Sequence, residues 1–201
     1  MTFTQPRPID ELDALTPFDC GVEDLNRWLA ERALRAHRRG SARTYVVVGD
    51  DGLLAGYLAL AATGIGRQRG PFHRDMPDPV PAVLLARLAV ATAAQGCGLG
   101  RALVEHAWRI CQAVSEQIGV RGLVVDATDE SATRFYRSCD FVPVATGEPT
   151  LARILPGWQP PRGPPAHMGK EHSRAAVVVR RLLLAAEAVV HKPPGTSLDP
   201  F

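Results

Sequence analysis

Gln95-Gly96-Cys97-Gly98-Leu99-Gly100-Arg101 is the stretch of this sequence that decides its fold, because of the segments on either side of it. Residues 82–90 before it are almost continuously apolar, which is typical of a strand covered on both faces of a sheet. Residues 99–117 after it place apolar side chains three and four positions apart, which predicts a helix. The fold is therefore expected to centre on a unit of strand, glycine loop and helix.

The glycines of this loop predict an anion-binding site. Gly98 and Gly100 remove side chains where the main chain must approach a ligand. The free N–H groups at the start of a helix, together with the helix dipole, suit a diphosphate. The loop lacks the lysine of a P-loop, and its spacing, Gln-x-x-Gly-x-Gly, is not that of a dinucleotide fingerprint. The alternative is a glycine-rich turn that only tightens the corner between strand and helix.

The remaining segments alternate between strand and helix patterns, so the predicted fold class is α/β. Residues 21–39 have helical spacing, with Asp19 as a candidate cap and Gly40 as the end. The turn signal Asp50-Asp51-Gly52 predicts a hairpin between two strands. The other predicted elements are strands at 43–49, 53–62, 122–127, 141–144 and 150–155 and a short helix at 130–138.

The composition changes sharply after Leu155. Residues 156–165 hold five prolines and two glycines, which predicts a linker. We therefore expect one complete domain at 1–155, a linker at 156–172 and a tail at 173–201. A helix is predicted at 173–191, but the sequence leaves open whether the tail is a packing arm, an interaction helix or an extension.

Composition excludes several classes of protein. With 46% hydrophobic residues and a net charge of +2, the 201-residue chain resembles neither a disordered nor a histone-like protein. Its longest apolar stretch is shorter than the roughly 18 residues of a spanning helix, and its N-terminus lacks a secretion signal. We expect a cytoplasmic protein without a membrane segment. The four scattered cysteines lack metal-ligand spacing, which predicts free thiols and no metal site.

Together with Leu88-Ala89-Val90, the glycine loop resembles the acyl-CoA-binding motif of the GNAT superfamily of N-acetyltransferases. The resemblance implies a single domain with a mixed central sheet flanked by helices, whose strands splay apart at the acetyl-CoA site. Residues 129–141 resemble the superfamily's Asn-x-x-Ala-x-x-Phe-Tyr-x-x-x-Gly-Phe pattern, with Asp129 in place of Asn and Asp140 in place of Gly. The acetyl-CoA-binding residues that the resemblance implies are Leu88, Ala89, Val90, Gln95, Gly96, Cys97, Gly98, Leu99, Gly100, Arg101, Asp129, Ala132 and Phe135.

Tyr136 matches the position of the general acid in that superfamily. Its hydroxyl would protonate the departing CoA thiolate, while a backbone N–H at the splayed end of the strand stabilises charge on the thioester oxygen. The alternative for Tyr136 is a core aromatic with no chemical role. Residues 82–90 contain no Asp, Glu or His to act as a base. This absence suits an α-amine, because a pKa of about 7.7 to 8.0 leaves a sizeable fraction of it neutral at pH 7.

Positive charge is concentrated on the first predicted helix. Between residues 27 and 43 there are six arginines and one acidic residue, a local net charge of +5. Such a patch favours a polyanionic partner. The alternative is an ordinary solvated helix face with an ion pair between Glu31 and Arg35.

Several further segments are similar to the GNAT toxins of type II toxin-antitoxin modules. They are Phe18-Asp-Cys-Gly, Leu25-Asn-Arg-Trp-Leu29, Arg39-Gly-Ser-Ala-Arg-Thr-Tyr-Val46, Gly56-Tyr57 and Pro81-Ala-Val-Leu-Leu-Ala-Arg-Leu-Ala-Val90. The resemblance implies acetylation of the α-amine of aminoacyl-tRNA, a block of translation and neutralisation by a ribbon-helix-helix antitoxin. We also expect a homodimer. Two positions depart from the toxin pattern, since Ala91 replaces an often acidic residue and Cys97 a commonly basic one.

The toxin resemblance also implies residues that bind tRNA. Arginines of the first helix would contact phosphates, and Arg87 would line the acceptor cleft, or else extend from its strand towards solvent. Two other functions stay open: acetylation of a small-molecule or protein-terminal amine, and a catalytically silent module that binds CoA or an antitoxin. The predicted substrate-binding residues are Arg35, Arg38, Arg39, Arg43 and Arg87.

Overall fold

The computed structural model describes residues 2–66, 71–145 and 149–155. The strands in these ranges are β1 (Arg7–Pro8), β2 (Arg43–Val48), β3 (Leu54–Ile65), β4 (Val80–Val90), β5 (Gly122–Asp126), β6 (Val142–Pro143) and β7 (Thr150–Ile154). The helices are α1 (Glu11–Leu15), α2 (Glu23–Trp28), α3 (Leu34–Arg39), α4 (Leu99–Ser115) and α5 (Glu130–Ser138). A π-helical segment, Leu29–Ala33, joins α2 to α3.

All of these strands belong to one mixed sheet in the order β1-β2-β3-β4-β5-β7-β6. The first four strands form an antiparallel meander. β4 and β5 run parallel, and the connection between them carries α4, because parallel neighbours need a crossover. β7 pairs antiparallel with both β5 and β6. The predicted α/β class and mixed sheet are therefore confirmed.

The sheet opens between β4 and β5. Their pairing is limited to two residue pairs, Val83 with Leu123 and Leu84 with Val124. β4 continues to Val90 and stays paired with β3, but a bulge at Ala86 bends it, because Leu85 and Arg87 lie opposite adjacent residues of β3. The end of β4 has thus left β5, and the predicted splayed strands are present.

Hydrophobic packing covers both faces of the sheet. α4 and α5 bury one face, where side chains of α4 such as Leu103 and Ala107 are fully inaccessible to solvent. On the other face, Leu29 and Ala33 of the π-helical segment pack against β2, β3 and β4. A third cluster, towards β5 and β7, completes this second face; its buried members are Phe72, Val80, Ala82, Val124, Val144 and Ala152. The glycine loop and the basic helix therefore belong to opposite faces of one sheet.

The helix predicted at 21–39 is present as α2, the π-helical segment and α3, but its predicted cap is wrong. α2 and α3 end where expected, at Gly40, whose left-handed φ of 74° only glycine adopts without strain. Asp19 is not the cap of α2. That position is Val22, which makes no side-chain capping bond. The Asp19 carboxylate instead accepts hydrogen bonds from the Gly21 N–H (2.8 Å) and from Nδ2 of Asn26 (2.9 Å).

The other differences lie at the ends of the chain and of the elements. β1 and α1 were not predicted, because segments of two and five residues are too short to show a period. The strand predicted at 141–144 is reduced to β6. The predicted linker and tail, 156–201, lie outside the described residues. Among the residues that are described, no helix has both the length and the apolar character needed to cross a membrane.

Candidate active site

The glycine loop forms an open cradle at the start of α4. Gly96 and Gly98 have φ values of 78° and 86°, the left-handed region that favours glycine. A Cβ built on either residue would meet no atom within 4 Å, so space lies open in front of both. Gly98 is the N-cap of α4, and no side chain caps that helix. The first amides of α4 are therefore available to an anion, and the loop fits a diphosphate.

Gly100, in the first turn of α4, packs against α5. A Cβ at this position would lie 3.4 Å from Cζ of Phe135 and 3.8 Å from Cγ2 of Val90, which is ordinary van der Waals contact. The start of α4 therefore lies next to α5. The contact seats the helix that carries Tyr136 directly beside the glycine loop.

Three other residues predicted to bind the donor use their side chains within the protein. Nε2 of Gln95 donates to the backbone carbonyls of Val90 and Cys20, both at 3.1 Å. The Cys97 thiol lies 2.8 Å from the carbonyl of Ala94. Nη2 of Arg101 donates to the carbonyl (2.6 Å) and to Oγ (3.2 Å) of Ser138, at the end of α5. These side chains hold the loop in place and connect it to its neighbours.

Asp129 begins α5 as its N-cap. Its Oδ1 accepts the N–H of Ala132 at 2.7 Å, so this carboxylate replaces the expected asparagine as a capping group. Asp140, just past the end of α5, has a φ of 67°, the left-handed conformation for which glycine is usual at this position. Both substitutions thus preserve the local backbone that a helix start and a helix end require.

Tyr136 lies on α5 with only 8% of its surface exposed. Its ring packs edge-on against Phe135 (centroids 5.1 Å apart) and lies 5.5 Å from the ring of Phe141. Burial, with a smaller contribution from Cys139, raises the pKa of the Tyr136 hydroxyl above its usual value. The hydroxyl therefore stays protonated throughout the physiological pH range and can act as a proton donor.

The end of β4 has an open edge on the side where it has separated from β5. Leu88 and Val90 are half-buried and pack towards α4, whereas Ala89 is buried under the π-helical segment. Because β5 no longer pairs with this part of β4, its outward N–H groups are not used in the β4–β5 ladder. One of them can stabilise negative charge that develops on a carbonyl oxygen.

Arg87 lies on the opposite face, against the first helix. Its guanidinium is 5.8 Å from the centre of the Trp28 ring, and Nη1 donates to the carbonyl of Ala86 at 2.6 Å. Trp28 stacks in turn on Tyr57, with the two ring centroids 5.8 Å apart. The hydroxyl of Tyr57 donates to the carbonyl of Leu25 at 2.9 Å. Arg87 is thus half-buried and joined to α2, beside the end of β4.

The predicted tRNA-binding arginines Arg35, Arg38 and Arg39 of α3, and Arg43 at the start of β2, are all exposed. Arg38 forms an ion pair with Glu11, and Arg43 donates to the carbonyl of His37 at 3.1 Å. Among the described residues, Arg35 and Arg39 have no acidic partner, and the Glu31–Arg35 ion pair of the alternative interpretation is not formed. The positive charges of Arg35 and Arg39 are therefore exposed to solvent and are not neutralised by a carboxylate of the described residues.

Sequence reasoning missed a network of hydrogen bonds between the glycine loop and the first helix. The Thr92 N–H donates to the carbonyl of Asp19 at 2.9 Å. Asn26 accepts the N–H of Cys20 at 2.9 Å and donates to the Asp19 carboxylate. The only signal in the sequence was the toxin-like segment at 18–21, which predicted similarity but no contact. In the described residues no cluster of side chains suits a metal ion, and all four cysteines are free thiols.

Beside the opened strand pair lie an uncapped helix start with left-handed glycines and a buried tyrosine, an arrangement that can bind an anion and donate a proton. Comparisons with known proteins identify the family. A family model described as an acetyltransferase (GNAT) domain matches residues 41–143. The chain belongs to the GNAT acetyltransferase family, and acetyl-CoA is its acetyl donor.

The similar proteins within this family include toxins that act on tRNA. A protein named tRNA-acetylating toxin from Mycobacterium tuberculosis is 38% identical over 141 residues, covering 69% of this chain and 84% of the relative. The solved structure of AtaT complexed with acetyl-methionyl-tRNAfMet has a TM-score of 0.68 and 31% identity, covering 76% of this chain and 95% of AtaT. A tyrosine-to-phenylalanine variant of the AtaT toxin, bound to the C-terminus of the antitoxin AtaR and acetyl-CoA, has a TM-score of 0.62 and 31% identity, with 76% and 92% covered.

Proposed function

We propose that this chain is a toxin that transfers the acetyl group of acetyl-CoA to the α-amine of aminoacyl-tRNA and so blocks translation. The observation that carries the proposal is the juxtaposition of two features. An open glycine cradle lies at Gly98, and Gln95 of the same loop donates to the carbonyl of Cys20, whose N–H is in turn held by Asn26 of α2. α2 continues through the π-helical segment into α3, where Arg35 and Arg39 have no acidic partner among the described residues. The named functions of the relatives agree with this arrangement.

The donor side of the reaction follows from the backbone of α4 and β4. When bound, acetyl-CoA supplies an activated acetyl thioester. The first amides of α4 hold its diphosphate, and the left-handed Gly98 exposes them. A free N–H near the end of β4, within Leu88–Val90, stabilises the charge that develops on the thioester oxygen.

Tyr136 completes the transfer. As the carbon–nitrogen bond forms and the carbon–sulfur bond breaks, the Tyr136 hydroxyl donates its proton to the departing thiolate. Burial raises the pKa of this hydroxyl, which makes the donation uphill but keeps the proton in place until the thiolate appears. The α-amine needs no strong base, because about a tenth of it is already neutral at pH 7.

The proposal extends to partners and location. We infer that a ribbon-helix-helix antitoxin neutralises the chain. We also infer that the chain is a homodimer and acts in the cytoplasm, where charged tRNA is present. A toxin relative bound to its antitoxin's C-terminus supports the first of these inferences. The exposed arginines of α3 are a natural surface for an acidic partner as well as for phosphates.

Transfer of label from acetyl-CoA tests the function directly. The purified chain is incubated with radiolabelled acetyl-CoA and a pool of charged tRNAs, with uncharged tRNA and a peptide bearing a free N-terminus in parallel. We expect label on the aminoacyl ester and none on uncharged tRNA. Labelling of the peptide alone would establish the small-molecule or protein-terminal alternative, and the absence of transfer to every charged tRNA would overturn the proposal.

A further inference from the structure

Gln95 of the glycine loop has both of its amide hydrogens engaged by the protein. A glutamine side chain has two N–H donors. In this chain Nε2 lies 3.1 Å from the carbonyl oxygen of Val90 and 3.1 Å from that of Cys20. The remaining atom, Oε1, is an acceptor and cannot hydrogen-bond a diphosphate oxygen. The side chain expected to grip the donor therefore has no donor group left with which to do so.

The carbonyl of Cys20, which accepts from Gln95, belongs to a segment that is hydrogen-bonded to α2. Oδ1 of Asn26, on α2, accepts the Cys20 N–H at 2.9 Å, and Nδ2 of Asn26 donates to Asp19 at 2.9 Å. A second link joins the same two regions, since the Thr92 N–H donates to the carbonyl of Asp19 at 2.9 Å. Hydrogen bonds thus run without interruption from the glycine loop to α2.

α2 carries the side chains that face the end of β4. Trp28 lies over Arg87 and stacks on Tyr57, and the helix continues into the basic α3. A small displacement of the segment at 19–26 would therefore move the acceptor-binding helix relative to the donor loop. Reaction rates are sensitive to such displacements, because acyl transfer needs the reacting atoms aligned.

We propose that Gln95 is a positioning residue: its side chain fixes the distance between the acetyl-donor loop and the acceptor-binding helix and does not hydrogen-bond the donor. The identity of the acceptor rests on the proposed function, whereas the mechanical link does not. The proposal predicts that Gln95 acts on kcat and leaves the affinity for acetyl-CoA unchanged.

A variant of similar shape isolates the two hydrogen bonds. Gln95→Met keeps the length of the exposed side chain and removes both N–H donors. We expect kcat with charged tRNA to fall about tenfold, while the KM for acetyl-CoA changes less than about twofold. Ala93→Ser, a change at an exposed neighbour in the same loop, is the matched control and should leave both values unchanged. A rise in KM for acetyl-CoA at constant kcat would mean that Gln95 holds the donor, and would overturn the proposal.

The other end of the network supplies a second variant. Asn26→Asp keeps the acceptor for Cys20 but places a carboxylate against that of Asp19, so it should lower kcat in the same way. Because Gln95→Met and Asn26→Asp both break the same link between the glycine loop and α2, the kcat of the double variant should be little lower than that of either single variant. Fully additive losses would contradict the proposed link.

Hydrogen exchange tests the link without any acceptor. In the protein alone, Gln95→Met should speed amide exchange at residues 19–26 several-fold, with exchange in α4 unchanged. Unchanged exchange at 19–26 would overturn the inference, whatever the substrate is. A wild-type protein that acetylates no charged tRNA, in contrast, would overturn the proposed function and leave the exchange result standing.

Discussion

In the proposed function, the donor side and the acceptor side of this protein recognise their ligands by different means. On the donor side the proposed recognition groups are backbone amides, exposed by the left-handed Gly96 and Gly98 and left uncapped at the start of α4. On the acceptor side they are long, exposed side chains, of which Arg35 and Arg39 have no ion-pair partner among the described residues. Backbone recognition depends on conformation, whereas side-chain recognition depends on charge.

This difference predicts different sensitivities. A single added Cβ should damage the donor side and leave the acceptor side intact, because only the former depends on backbone angles. Salt should weaken the acceptor side much more than the donor side, because tRNA phosphates release counterions when arginines bind them. The variants below separate the two sides in order of expected effect.

Removal of the Tyr136 hydroxyl should have the largest effect on the donor side. Tyr136→Phe is expected to lower kcat by about 100-fold, the usual contribution of a positioned acid, and to leave the affinity for acetyl-CoA unchanged. Steady-state kinetics and calorimetry measure the two quantities. A loss below about threefold would assign Tyr136 to the core alone, as the packing against Phe135 and Phe141 would then suffice to explain it.

The pH dependence of the wild-type enzyme sharpens this assignment. Burial raises the pKa of Tyr136, so the acid remains protonated as pH rises. Any loss of kcat from its ionisation should therefore begin only above about pH 10, the ordinary value for tyrosine. A decline that starts near neutral pH and disappears in Tyr136→Phe would contradict the assigned direction.

A Cβ at Gly98 should break the donor cradle selectively. The residue has a φ of 86°, a conformation that costs a residue with a side chain about 1 to 2 kcal/mol. If that strain moves the first amides of α4, Gly98→Ala should weaken acetyl-CoA binding by about tenfold, measured by calorimetry. Gly119→Ala is the control, because that glycine has no positive φ and open space around it. Equal losses in the two variants would argue against a diphosphate site.

Charge reversal at Arg35 and Arg39 should break the acceptor side selectively. The double variant Arg35→Glu/Arg39→Glu is expected to weaken binding of charged tRNA several-fold and to reduce its log–log salt slope by roughly 1.5 to 2. Its affinity for acetyl-CoA should not change. Arg109→Glu, at an exposed position of α4, serves as the control. An unchanged salt slope would favour a small acceptor instead of a polyanion.

Asp140→Gly should have the smallest effect, and it should change only the free energy of unfolding. Asp140 has a φ of 67°, and its exposed carboxylate lies 3.7 Å from Nη2 of the largely buried Arg153. Nη1 of Arg153 already pairs with Glu105 at 2.6 Å, so the longer pair with Asp140 is expected to contribute little. Asp140→Gly should therefore raise the free energy of unfolding by about 1 kcal/mol and Tm by a few degrees, with kcat unchanged. A lower Tm in a thermal melt would show that the ion pair outweighs the backbone strain.

Much of this protein could be read from local sequence. The strand predicted at 82–90, the glycine loop and the helix predicted at 99–117 follow from apolar runs, glycine spacing and helical periodicity, all of which act within about 20 residues. They correspond to β4 (Val80–Val90) and α4 (Leu99–Ser115). α5 was predicted at its observed bounds, 130–138, and Asp129 is its N-cap. Local signals of this kind reflect backbone conformation, which nearby residues largely determine.

Other features were decided only when distant segments met. The motif resemblance implied ligand contacts for Gln95 and Arg101, and the fold adds that their side chains bond to Cys20 and Ser138, which are 75 and 37 residues away. Gly100 of the same loop packs against Phe135 of α5. The sequence by itself determined the longer elements, the position of the glycine loop and the charge of the first helix. The tertiary structure alone decided which polar groups remain free for substrates, because each donor can be used only once and its partners come from remote parts of the chain.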